Sequence, residues 1–278
     1  MASYEDFDRA QWAARRRVGS RVASAVAGRA GDVAVADVLE VYGPLAELVA
    51  DRAGSATPFV IAVTGSVAVG KSAAAAALAQ AFGTDTARAP VSVVCTDGFL
   101  YPNRELAARG LMERKGFPET FDHDALTRFL VAVRGGATET YAPVYSHATY
   151  DIVDGETQVV ERPSVLILEG LPFPDDHVDF TVYLDAATPD IEEWFVQRFC
   201  RLVTEAATDD SSFFRVFDGY SAAQAEAFAR QVWVSINLVN LEEHILPTRD
   251  RSDAILVKGP DHAVERVRLR VDRRATMT

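Results

Sequence analysis

Residues 59–72 read FVIAVTGSVAVGKS and hold the densest set of groups that can do chemistry. Gly65, four intervening residues (Ser66, Val67, Ala68, Val69) and then Gly70, Lys71 and Ser72 have the spacing of a loop that cradles phosphates. Glycines let backbone N–H groups approach phosphate oxygens, and the start of the following helix adds positive partial charge. Lys71 can reach the outer phosphates, and the Ser72 hydroxyl can ligate magnesium. A Gly-rich turn before an ordinary helix would look similar in isolation. Here a β-prone run (59–63) precedes the loop and an alanine-rich stretch (73–81) follows it, which is the strand–loop–helix context the phosphate reading requires. The sequence predicts a nucleoside-triphosphate site.

Other groups could complete such a site. Asp97 follows the apolar run VSVVC (91–95), and a carboxylate at that end of a strand lies where open α/β sheets bind ligands. It reads as a base or metal-side acid, or as an Asx-turn aspartate before Gly98; the pattern leaves both open. Glu169 ends the buried-type run VLILEG (165–170), the position of the acidic residue that faces magnesium in phosphate-loop enzymes. Arg198, on a helical pattern over 190–203, is either a solvated surface arginine or a cation near a γ-phosphate. Tyr145, His147 and Tyr150 fall within APVYSHATYD (142–151), whose pattern alone favours an alternating aromatic edge strand. Cys95 and Cys200 lack metal-ligand spacing, and Cys95 reads as core.

The elements needed to position these groups are legible in outline. Residues 1–57 read as helical, with Phe7 and Trp12 on one face of FDRAQWAARRRV, and Pro44 expected to break or kink the second helix. DRAGSATP links this segment to the core. Strands at 59–63, 91–95, 165–170, 178–186 and 254–258 alternate with helices at 73–81, 104–114, 125–134, 190–203 and 221–241. The tail HAVERVRLRV is open between helix and strand. Strands interleaved with helices imply a three-layer α/β/α fold around a mainly parallel sheet. Residues 58–278 form the core, with 98–151 as a substrate-side lobe, in a single domain overall.

Composition narrows the class. Of 278 residues, 49% are hydrophobic and 24% charged, as in ordinary globular proteins. The net charge of −12 without a basic block argues against nucleic-acid or anionic-membrane partners. No apolar run has the length of a membrane span and the first residues lack a signal core, so a cytoplasmic location is expected.

Longer blocks carry a resemblance. GSVAVGKS (65–72), TDGFLYPN (96–103), RGLMERKGFPE (109–119), PVYSHATYD (143–151), LILEGL (166–171), NLEEHILPTR (240–249) and FDRAQWAA (7–14) resemble bacterial type I pantothenate kinase, in order and from about residue 7 to residue 271. The phosphoribulokinase and uridine kinase relatives share the fold without the YSHxxYD and GLMxRKGFPE blocks. The resemblance implies transfer from MgATP to the terminal hydroxyl of pantothenate, a homodimer, and coenzyme A competing with ATP. It gives ATP and Mg2+ to Lys71 and Ser72, the base role to Asp97, and the transferring phosphoryl group to Arg198. Tyr145, His147, Tyr150 and Asn237 would line or position pantothenate, and Lys258 and His262 would meet the adenine. Several positions depart from the family pattern: Ala76 for an arginine, Phe195 for a tyrosine, Leu202 and Ala207 for aromatics, and Ala30 for an asparagine. The N-terminal segment and the 169–180 connection are also shorter than in relatives. These changes motivate weaker coenzyme A feedback, or an acceptor other than pantothenate, as alternatives. A non-catalytic nucleotide-binding protein would not need Asp97 and Arg198 together with Lys71, Ser72 and Glu169.

Overall fold

The computed structural model describes residues 3–17, 35–83, 90–171 and 175–271. Ala30 and residues 172–174 lie outside this set.

Parallel strands form where apolar runs bury both faces. β2 (Phe59–Gly65) is buried along its whole length, and so is β6 (Val165–Glu169). With β3 (Val91–Cys95), β7 (Phe180–Ala186) and β8 (Ala254–Lys258) they make a parallel array in the order β8-β7-β2-β6-β3. β9 (Val264–Arg270) and β1 (Tyr4–Asp8) add antiparallel to the β8 edge, giving seven strands. Period-2 alternation divides β6 cleanly: Val165 and Ile167 join one core cluster, Leu166 and Leu168 another.

Helix α1 (Arg9–Ala13), residues 35–53 (α2) and α3 (Lys71–Phe82) contribute to the first cluster. The second is covered by α5 (His123–Arg134), which follows the short α4 (Asn103–Ala108). α6 (Thr188–Glu205) and residues 222–249 (α7) form a helical pair beside the sheet and enclose a third, aromatic cluster around Phe199, Phe214 and Phe217. β4 (Glu139–Ser146) and β5 (Asp151–Glu161) form a separate antiparallel hairpin.

Several expectations are corrected here. The start of the chain is not helical throughout, because Phe7 and Asp8 belong to β1, and Asp8 caps α1 by accepting from the Gln11 N–H at 2.8 Å. Pro44 neither breaks nor ends its helix. It follows a π-turn over Val38–Tyr42 and sits in the first turn of the Gly43–Ala53 stretch, where a missing N–H is tolerated. The expected helix 104–114 stops at Ala108, with a separate 3-10 turn at Met112–Arg114, since Gly110 takes φ +68°. Residues 246–249 continue α7 where a turn into the last strand was expected, and the open tail is β9.

Candidate active site

The phosphate loop joins β2 to α3. Ala68 and Gly70 take left-handed backbone angles, φ +62° and +92°, so the loop folds back over the start of α3. A Cβ on Gly70 would lie 2.9 Å from Lys258 Nζ, so glycine there lets Lys258 close on the loop and donate to the Val69 carbonyl at 2.9 Å. Lys71 Nζ donates to the Ser66 carbonyl at 3.0 Å. The Ser66 hydroxyl is buried without a hydrogen-bond partner, an orphan polar group at the place where a phosphate oxygen would be received.

Strand register brings the two acids together. Cys95 of β3 and Val63 of β2 both lie opposite Glu169 of β6. Asp97 is in the 3-10 turn that follows β3 (Thr96–Phe99). Ser72 Oγ donates to Glu169 Oε1 at 3.1 Å, and Glu169 is buried. Burial first, and then the charge of Glu169, push the Asp97 carboxyl above the ordinary carboxylate range; Lys71, His147 and Arg198 act in the opposite sense. A carboxylate raised in this way takes a proton more readily than an exposed one. Burial and both carboxylates raise the Cys95 thiol, which keeps it protonated, as a core cysteine should be.

Opposite the acids stands an aromatic wall. The expected edge strand over 142–151 is only half correct. β4 ends at Ser146, and residues 147–150 form a turn in which Tyr150 takes φ +54°. The turn gathers the three rings, with Tyr145 5.3 Å from His147 and 6.4 Å from Tyr150. Phe213 stacks on Tyr150 at 4.9 Å, and its N–H donates to the Ala148 carbonyl at 2.8 Å. Burial and Arg198 lower the His147 imidazole. Burial raises the Tyr145 and Tyr150 hydroxyls, so both stay protonated and can donate hydrogen bonds.

Lys115 belongs to this wall, and sequence reasoning passed it over. Its ammonium donates to Asn103 Oδ1 at 2.6 Å and to the Tyr150 carbonyl, and lies 4.1 Å and 5.0 Å from the Tyr150 and Tyr145 ring centres. Burial lowers its pKa to about 8. The signal in the sequence was its place in the block RGLMERKGFPE (109–119), within a Gly- and Pro-punctuated loop.

The remaining predicted residues are placed less tightly. Arg198, on α6, acts electrostatically on Asp97 and His147 and forms no ion pair among the described residues. Asn237 ends a π-turn of α7 (Trp233–Asn237), partly buried, and its side chain makes no hydrogen bond among the described residues. His262 stacks on Trp194 at 3.8 Å, and burial lowers Lys258 to about 8. Among the departures, Ala76 is exposed on α3, Phe195 packs against Phe199 and Trp233, and Ala207 lines an apolar cavity of about 280 Å³ with Phe214 and Phe217. Leu202 packs on the aromatic cluster.

The donor set fits a hard cation shared with phosphates. No cluster of three His, Cys, Asp or Glu residues suited to a metal exists among the described residues. Ser72 Oγ and Glu169 Oε1 are adjacent oxygens, which suits magnesium held partly by protein and partly by nucleotide.

Known kinases resemble this chain in sequence and in fold. The Phosphoribulokinase / Uridine kinase family model matches residues 60–211. Pantothenate kinase of Corynebacterium glutamicum strain R is 42% identical, over 97% of this chain and 93% of that protein. Pantothenate kinase of Mycolicibacterium smegmatis is also 42% identical, over 96% of each chain. Among solved structures, a putative fructose transport system kinase from Silicibacter sp. TM1040 superposes with a TM-score of 0.58 at 25% identity, over 73% of this chain and 92% of that one. The YGR205w protein, with a TM-score of 0.57 and 13% identity over 83% of this chain and 99% of its own, shares the fold.

Proposed function

The chain belongs to the pantothenate kinase family, and from that premise we propose that it transfers the γ-phosphoryl group of ATP to the terminal hydroxyl of pantothenate, the first step of coenzyme A synthesis. The observation that carries the chemistry is the pairing of Asp97 with Glu169 at adjoining strand ends, facing the phosphate loop on one side and the aromatic wall on the other.

Each residue then has a role derived from its surroundings. Backbone N–H groups of residues 66–72 and the start of α3 receive the phosphates. Lys71 leaves the Ser66 carbonyl for phosphate oxygens, and Arg198 supplies charge to the equatorial oxygens in transfer. Ser72 and Glu169 would hold magnesium, which would supply charge neutralisation to the phosphates when bound. Asp97 accepts the proton of the acceptor hydroxyl, since a primary alcohol is a poor nucleophile until its proton has somewhere to go. Tyr145, His147, Tyr150 and Asn237 enclose pantothenate, the three rings against its dimethyl group and the polar atoms of all four against its hydroxyls and amide. Lys258, with His262 on Trp194, takes the adenine end.

Identity of 42% along nearly the whole chain favours pantothenate over another small alcohol, despite Phe195, Leu202 and Ala207. We read residues 1–57 and 58–278 as one structural domain, acting in the cytoplasm as a homodimer without nucleic-acid or membrane partners. No helix among the described residues is long and apolar enough to cross a membrane. Coenzyme A competes with ATP in this reading, and Ala76 weakens that competition by removing a cation from the phosphates.

The test is ADP release with MgATP, with and without pantothenate, and mass detection of the product. Pantothenate-dependent ADP and a phosphopantothenate mass are expected, with Asp97→Asn lowering turnover by about 10²–10⁴-fold while ATP binding survives. ADP release that ignores pantothenate would overturn the reading. In the same assay, coenzyme A inhibition as strong as in relatives would remove the role given to Ala76.

A further inference from the structure

A second crevice of about 650 Å³ lies between the sheet, the loop at 116–121 and the C-terminal half of α7. Neither the two catalytic-site acids, Lys71, Arg198 nor any ring of the aromatic wall lines it. Three of its lining residues carry buried polar atoms with no hydrogen-bond partner: Thr64 Oγ1, Asn240 Oδ1 and His244 Nε2. Thr64 is only 1% exposed. Proteins rarely leave buried polar atoms unpaired, and three around one space point to an occupant that pairs them.

The chemistry of that occupant can be read from the lining. Asn240 Nδ2 donates to the Gly116 carbonyl at 3.0 Å, so Oδ1 is the atom left over, and it can only accept. The Thr64 hydroxyl can accept or donate. The His244 ring is held edge-on to Phe117 at 5.7 Å, and Glu243 Oε2 lies 3.7 Å from its Nε2. A π-turn over Leu241–Ile245 carries Glu243 and His244 within this stretch, a local widening of the kind that recurs at binding sites. Phe121, Leu171 and Val178 give the crevice an apolar side. Its charged residues are balanced, Arg251 and Arg270 against Glu243 and Asp253, and Asp253 is already engaged by the Thr181 N–H at 2.9 Å and by Arg52 at 3.6 Å. Among the described lining residues these charges cancel. The volume is that of a metabolite site, well beyond what one or two bridging waters need.

We propose that this crevice binds a small uncharged molecule that carries hydroxyl or amide N–H donors on an apolar body. Its occupant would touch two parts of the phosphotransfer site from behind. Thr64 directly precedes Gly65 of the phosphate loop, and Asn240 lies one turn beyond Asn237 on α7.

The probe is pantothenol, an uncharged hydroxy-amide, titrated by calorimetry into the full chain after the acceptor pocket has been saturated with pantothenate and a non-hydrolysable ATP analogue. A further binding event is expected, weakened by about tenfold in each of Thr64→Val and His244→Leu, the loss of one hydrogen bond apiece. Thr64→Val without ligand should melt at the wild-type temperature or above it, because an unpaired buried hydroxyl is replaced by a methyl of the same shape. Absence of pantothenol binding to the saturated protein overturns the proposal, as does binding that both substitutions leave unchanged. A lower melting temperature for Thr64→Val does so too, since the hydroxyl would then be satisfied by structural water. Pantothenate turnover measured on the same preparation keeps the two readings apart: lost turnover with the crevice event intact counts against the function alone.

Discussion

Asp97 is placed where stability and chemistry pull in opposite directions. Burial and Glu169 raise its pKa, so the folded protein keeps the proton at pH values where the unfolded chain has released it. Its contribution to stability is therefore complete below the unfolded pKa and is lost as pH rises through the folded one. In metal-free protein, Asp97→Asn removes that loss. The variant should melt higher than wild type near pH 7, and the gap should close toward pH 3, where both side chains are neutral. Thermal melts across pH test this, and a variant that melts lower at pH 7 would contradict it. At this scale the sequence was informative where spacing is local. Gly65 to Ser72 is one turn of chain, and its geometry follows from residue order. Lys115 was not legible, because its partners Asn103 and Tyr150 lie 12 and 35 residues away and meet it only in the fold.

Individual elements were legible when both faces were apolar or one helical stripe was strong. β2, β6 and α5 fall in that group. β1 and β9 were missed or left open because they form the polar edge, where Asp6 pairs with Arg268 and the apolar alternation is incomplete. The short α1 gains its stability from tertiary packing. Trp12 is fully buried and donates from Nε1 to the Val41 carbonyl at 2.9 Å, tying the start of the chain to α2. Trp12→Ala should reduce stability by about 3–5 kcal/mol, measured by urea unfolding. A loss below about 1 kcal/mol would mean that α1 is not part of the cooperative unit.

Across the whole molecule, two sheets meet at one tight point. A Cβ on Gly98 would lie 2.1 Å from the Pro143 carbonyl oxygen, so the turn carrying Asp97 and the hairpin carrying Tyr145 touch backbone to backbone. Gly98→Ala should reduce stability by about 1–3 kcal/mol through overpacking and push the hairpin away from Asp97. Turnover should fall with little change in ATP binding; equal loss of both would show that the displacement runs into the phosphate loop instead. Gln158 Nε2 bridges the same pair of sheets by donating to the Val93 carbonyl at 2.7 Å.

That arrangement has a consequence for descent. The β4–β5 ladder is closed on itself, so residues 139–161 can change in sequence without breaking a hydrogen bond between strands of the seven-stranded sheet. The phosphate loop and Glu169 are held by the larger sheet, while the turn carrying Asp97 also rests on the hairpin through Gly98 and Pro143. Mutations in the hairpin can then select among alcohols while the transfer machinery is inherited intact, and a lineage built on this frame can acquire new acceptors one loop at a time.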